Sequence, residues 1–158
     1  MTSDRTVPAS VETTWQILND PEALKACIPG CERFELTEEN QYDLAMAVKV
    51  GPVAFKFKGR MTLLDVVHNE SYALRFEGQG GVAGFAKGTA KVRLSAADEG
   101  CTMHYDVEAQ VGGKLAQLGS RLIDSSARKM SDDFFEKLAA LLSQSDTLSQ
   151  PSSDVLPS

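Results

Sequence analysis

Between Cys101 and Leu142 the spacing of apolar residues changes once, and that change limits what the chain can fold into. From Cys101 to Val111 apolar side chains take every second position: Cys101, Met103, Tyr105, Val107, Ala109 and Val111. Thr102, His104, Asp106, Glu108 and Gln110 lie between them. A period of two is that of a strand with one buried face. Gly112 and Gly113 interrupt it. From Lys114 onward Leu115, Leu118, Leu122, Ile123, Met130, Phe134, Leu138 and Leu141 fall on one helical stripe. The spacing predicts a single helix from about Lys114 to Ser143, ~45 Å long at the rise of an α-helix. So long an amphipathic helix needs a broad apolar surface to cover it.

The upstream chain offers mostly strands. A short first strand is expected over Arg5 to Val7, ended by Pro8. Ser10 can cap a helix from Val11 to Leu18, and Asp20 a second one with Pro21 at its first position. Pro29-Gly30 stops it. Strands follow at about Cys31 to Leu36, Gln41 to Val50, Ala54 to Val66, Ser71 to Gly80, Gly84 to Ala96 and Cys101 to Val111, with turn residues between them. Residues 1–143 read as one domain. The Ser- and Pro-rich residues 144–158 read as a disordered tail. The fold class is α+β: an antiparallel sheet curled around one long C-terminal helix, with two short helices after the first strand.

In an up-and-down meander alternate turns share an end. One end then collects 37–40, 68–70 and 98–100, which are acidic. The other collects 51–53, 80–83 and 112–113, which are Gly-rich and uncharged, with Lys49, Lys56, Lys58, Lys87 and Lys114 behind them. Strand alternation points Tyr42, Phe55, Phe57, Phe76, Gly78, Ala86, Gly88 and Tyr105 inward. Small residues gather at the Gly-rich end, where Gly119 also falls. This predicts an apolar cavity open at that end, with Leu118, Leu122 and Met130 along its helical wall. The alternative is that the glycines only let a curled sheet bend. The candidate membrane-facing set is Lys49, Gly51, Pro52, Lys56, Gly81, Lys87, Gly113 and Lys114.

Other chemistries find little support. The net charge of −6 and the lack of basic runs argue against nucleic acid. No apolar run is long enough to span a bilayer. A cytoplasmic location is the default, peripheral on the inner face of the membrane if the lysine-rich end docks there. Cys27-Ile28-Pro29-Gly30-Cys31 lacks further ligands for a metal and reads as a helix stop flanked by two small thiols. Gly78-Gln79-Gly80-Gly81-Val82-Ala83 fits a nucleotide fingerprint in letters only, because a strand follows where a helix N-terminus is needed. No histidine or carboxylate is expected inside the cavity, so no catalytic residue is assigned.

Several ordered motifs resemble one family. Val7-Pro8-Ala9-Ser10, the run from Trp15 to Glu22, and CIPGCE at 27–32 look like the start of the G-subunit-like proteins of carbon monoxide dehydrogenase. Lys49 to Val53, Gly84 to Ala90, and VGGKLAQLGSRLID at 111–124 match the same family. That family belongs to the START-like (SRPBCC) helix-grip superfamily, so the resemblance implies a hydrophobic ligand cavity. It also implies an accessory role for a molybdenum-containing oxidoreductase such as carbon monoxide dehydrogenase: recruitment to an anionic membrane surface and handling of a quinone. No cofactor of the protein's own is implied, only a bound quinone. Longer members carry a C-terminal apolar anchor; residues 144–158 here are polar. The competing readings are a cavity enzyme acting on an apolar small molecule, and an assembly factor without a ligand.

Overall fold

The structure, a computed structural model, describes residues 2–155, with side chains as far as Gln144. The tail read as disordered, 144–158, therefore lies almost entirely outside the described side chains. The chain begins with β1 (Thr2–Val7), α1 (Val11–Leu18) and α2 (Pro21–Cys27). The Ser10 hydroxyl accepts from the Thr13 N–H at 3.1 Å, and the Asp20 carboxylate from the Glu22 N–H at 3.0 Å, so both helices start where capping residues satisfy their first amides. Six strands follow: β2 (Cys31–Glu38), β3 (Gln41–Val50), β4 (Val53–Val67), β5 (Ser71–Gln79), β6 (Phe85–Ala97) and β7 (Gly100–Gly112). A 3-10 turn, Gly81–Ala83, lies before β6. α3 (Lys114–Gln117) and α4 (Ser120–Val155) complete the fold.

All seven strands form one antiparallel sheet in the order β1-β7-β6-β5-β4-β3-β2. Each strand from β2 to β7 pairs with the next, and β1 closes onto β7. The register gathers the turns at two ends, as an up-and-down meander requires. Val50 faces Val53, Gln79 faces Phe85 and Phe85 faces Gly112 at one end. Glu38 faces Gln41, Val67 faces Ser71 and Ala97 faces Gly100 at the other. A bulge after Leu64 bends β4; Asp65 sits there at φ 51. α4 packs against α1, α2, β1 and β3 and fills the concave side of the sheet.

Three features differ from the sequence reading, the first being that α4 runs to Val155 and not to about Ser143. β1 is longer than Arg5 to Val7, because Thr2 to Arg5 pair with Asp106 to Met103. The single helix expected from Lys114 is broken. Gly119 adopts φ +94, a left-handed conformation that ends α3 before α4 starts. The apolar spacing runs through this break unchanged, so no change of period reveals it.

The apolar interior has two parts. The larger, toward the acidic turns, gathers α1, α2 and α4 on the sheet, with Leu138, Leu142 and Cys101 at 0 % exposure. The smaller lies at the Gly-rich end: Val50, Phe55, Phe57 and Leu115, with Leu118, Leu122 and Ile123 packed against them.

Candidate functional site

An apolar cavity of about 220 Å³ lies between the sheet and α4. Its sheet wall follows from register. Leu63, Leu74, Ala90 and Val107 form one inward row across β4 to β7. Tyr72, Val92 and Tyr105 form the next. Tyr42 and Met61 face each other on the other side of the first row. Ala90 is the small member of its row, flanked by Leu74 and Val107, and the missing side-chain volume opens the space. Phe134 and Phe135 of α4 cover it, and Leu18, Leu24 and Ile28 close the side.

Three phenols are the polar groups of this lining. Burial pushes the Tyr72 hydroxyl far above its ordinary range, with a smaller push from Tyr42. Tyr42 is raised by burial and then by the Asp20 charge. Tyr105 is different. Burial pushes it up, but hydrogen bonds with Ser131, Ser3 and Arg5 and the Arg5 charge outweigh that and leave it below its usual value. Its hydroxyl lies 3.0 Å from the Ser131 hydroxyl, and its ring stacks on Phe135 at 5.1 Å. Tyr72 meets Trp15 edge-on at 5.6 Å, which places the one tryptophan directly behind the cavity wall.

The residues singled out in the sequence are distributed over several places. Tyr42 and Tyr105 line the cavity. Leu122 and Met130 line a separate groove of about 630 Å³ between α4 and β3, together with Lys49 and Gly51. Phe55, Phe57, Ala86 and Leu118 belong to the smaller packed cluster. The opening expected at the Gly-rich end is therefore filled, and the cavity sits one layer deeper, toward the acidic turns. Gly88 supplies no volume. A Cβ there would meet the Phe76 ring at 2.7 Å and the Glu108 carbonyl oxygen at 2.1 Å. A Cβ on Gly78 would lie 3.6 Å from the Phe57 Cβ, an ordinary contact. Gly119 borders open space and acts through its backbone angle.

Lys49, Lys56, Lys58, Lys87 and Lys114 are all exposed around the Gly-rich end, as are Gly51, Pro52, Gly81 and Gly113 at its tips. Lys56 is 4.0 Å from Glu32, and Lys87 lies 5.7 Å from the centre of the Phe85 ring. Sequence reasoning missed the apolar tips among them: Val82 is 84 % exposed, and Val53 and Phe85 each 39 %. It also missed Tyr72 and Phe135. Tyr72 continues the alternation of Leu74 and Phe76 and is legible from it; Phe135 lies one position beside the helical stripe that runs through Phe134.

On the outer face of the sheet, the His104 Nδ1 lies 2.6 Å from the Asp4 carboxylate and its Nε2 lies 3.0 Å from the Ser95 hydroxyl. The order matches a serine nucleophile, base and orienting acid. The set lies across the sheet from the cavity, with Asp4 64 % exposed, and it fastens β1 to β7 and β6. The three cysteines are free thiols, each raised in pKa chiefly by burial. Among the described residues no group of three His, Cys, Asp or Glu side chains could hold a metal ion. No helix of the described residues is long and apolar enough to cross a membrane.

A curled antiparallel sheet gripping a long C-terminal helix around an apolar cavity defines a helix-grip protein. More narrowly, the chain belongs to the carbon monoxide dehydrogenase G-subunit (CoxG) family, whose family model matches residues 4–143. No curated protein matches it. Among solved structures, a conserved protein from Geobacillus kaustophilus is similar at 30 % identity and a TM-score of 0.83, over 91 % of this chain and 93 % of that one. The Zhui aromatase/cyclase from Streptomyces sp. R1128 shares the fold at 13 % identity and a TM-score of 0.62, over 91 % and 93 %. Ara h 8.0201 does so at 17 % and 0.64, over 91 % and 97 %.

Proposed function

We propose that this protein is a non-enzymatic accessory carrier that binds a quinone-like ligand and serves a molybdenum hydroxylase, such as carbon monoxide dehydrogenase, at the cytoplasmic membrane. The observation that carries the reading is the cavity itself, lined only by apolar side chains and three phenols. A ring of quinone size can stack on Tyr105 or Phe135, and a phenol can donate to its carbonyl oxygen. At about 220 Å³ the cavity is small beside the roughly 300–1,000 Å³ of usual ligand pockets. It suits the ring, not a long isoprenoid tail.

The groove beside it suits the tail. Ile28 lines the cavity, while its neighbours Pro29 and Gly30 line the groove, so one short loop is the wall between them. A tail passing that loop would lie along Leu122, Met130 and Val48. The groove also contains Lys49 and Gly51 of the Gly-rich end. There the exposed Val82, Val53 and Phe85, ringed by lysines, suit an anionic lipid surface. The enzyme reading would need a general acid or base facing the ligand, and the candidates in the lining are its three phenols, of which Tyr105 is held below its usual value.

Native mass spectrometry of protein purified from its own host tests this reading. The expected spectrum shows a bound apolar species that carries a redox-active ring after extraction. Ligand-free protein that also ignores added short-chain quinone would overturn it.

A further inference from the structure

At the other end of the cavity, away from the groove, Tyr105 is a wall shared by two spaces. Its ring faces the apolar cavity. It also lines a polar vestibule of about 250 Å³ between β1 and α4, with Thr2, Ser3, Arg5, Arg128, Ser131 and Asp132. The vestibule holds two guanidiniums against one carboxylate. Arg5 is committed: it pairs with Asp132 and lies 5.0 Å from the centre of the Phe135 ring, and that pairing, ahead of the opposing effect of burial, holds its pKa up. Arg128 makes no ion pair among the described residues and stands exposed on the outer turn of α4. An apolar hole that ends one ring away from an unpaired guanidinium and several hydroxyls has the polarity of a site for an amphiphile with an anionic head.

We infer that the cavity takes a second class of ligand, a single-chain carboxylate of fatty-acid type, with its carboxylate on Arg128, Ser131 and Tyr105. This rests on the reading that the cavity binds apolar ligands, and it adds the head-group chemistry of the end opposite the groove. The chain would occupy the space beside Ala90, which requires the Tyr105 ring to swing off its stack on Phe135, now 5.1 Å between ring centres, to admit it from the vestibule. The carboxylate would then replace the Ser131 hydroxyl as partner of the Tyr105 phenol. Such a ligand would compete with a quinone for the same apolar volume, because about 220 Å³ does not hold both. Arg128 is solvated, so its pull is modest and salt-sensitive.

The test compares decanoate with 1-decanol by calorimetry at pH 8 in low salt, on the full chain. The two probes share a tail and differ in head charge. Decanoate is expected to bind roughly fivefold tighter, the most that one exposed ion pair contributes. Arg128→Gln should remove that advantage and leave decanol unchanged, and Arg128→Lys should restore part of it. Equal binding of the two probes to the wild type, or an advantage that survives Arg128→Gln, would overturn the inference. Short-chain quinone titrated into the same samples separates the two readings. Quinone binding without a carboxylate preference sinks only this inference, whereas failure of all three probes sinks the cavity reading with it.

Discussion

Tyr72 is buried between Trp15 and the cavity, and its phenol is held neutral well above its ordinary value of 10.0. A group whose pKa is raised on folding stabilises the fold while it is protonated. That contribution is complete below the unfolded value and is lost as pH rises toward the folded one. The buried thiols of Cys27 and Cys101 act in the same direction from an ordinary value of 9.0. Stability measured as a urea midpoint should therefore hold across neutral pH and fall above about pH 9. Tyr72→Phe should flatten the upper part of that fall; an unchanged alkaline slope in the variant would show that the phenol is not held neutral by the fold. Single residues are legible in the sequence to different degrees. The inward tyrosines 42 and 105 follow from alternation, since a strand has only two faces. The vestibule around Arg128 does not, because it joins residues from β1, β7 and α4 that no local spacing connects.

At the scale of elements, two glycines take different roles. Gly119 breaks the long helix with a left-handed backbone and borders open space. Gly119→Ala should cost about 1–2 kcal/mol through strain alone, readable as a lower melting temperature. Gly88 is a place of close approach. Leucine there must displace the Phe76 ring and push on the β7 backbone. A loss of at least about 1–3 kcal/mol is expected from overpacking, and a Gly88→Leu protein as stable as the wild type would contradict the packing described. The strands, short helices and meander order are readable because period, capping residues and turn residues agree. The helix break and the filled Gly-rich end are not. A glycine in a sequence does not say whether it provides space, a turn or contact, and only the facing chain decides.

For the molecule as a whole, polarity runs along the sheet from acidic turns to a lysine-ringed end with apolar tips. If that end meets lipid, each lysine contributes about 1 kcal/mol to binding an anionic surface. The Lys49→Glu/Lys87→Glu double variant should then sediment much less than the wild type with anionic vesicles at low salt, and addition of salt should narrow the difference. Equal sedimentation would remove the membrane from the account. The central claim concerns the cavity, and Trp15 behind Tyr72 reports on it. Titration with a short-chain quinone should quench Trp15 fluorescence saturably. Ala90→Leu, which fills the row between Leu74 and Val107, should abolish the saturable part while circular dichroism still shows the folded protein. Saturable quenching that persists in folded Ala90→Leu, or linear quenching in the wild type, would mean that the cavity does not hold the ligand.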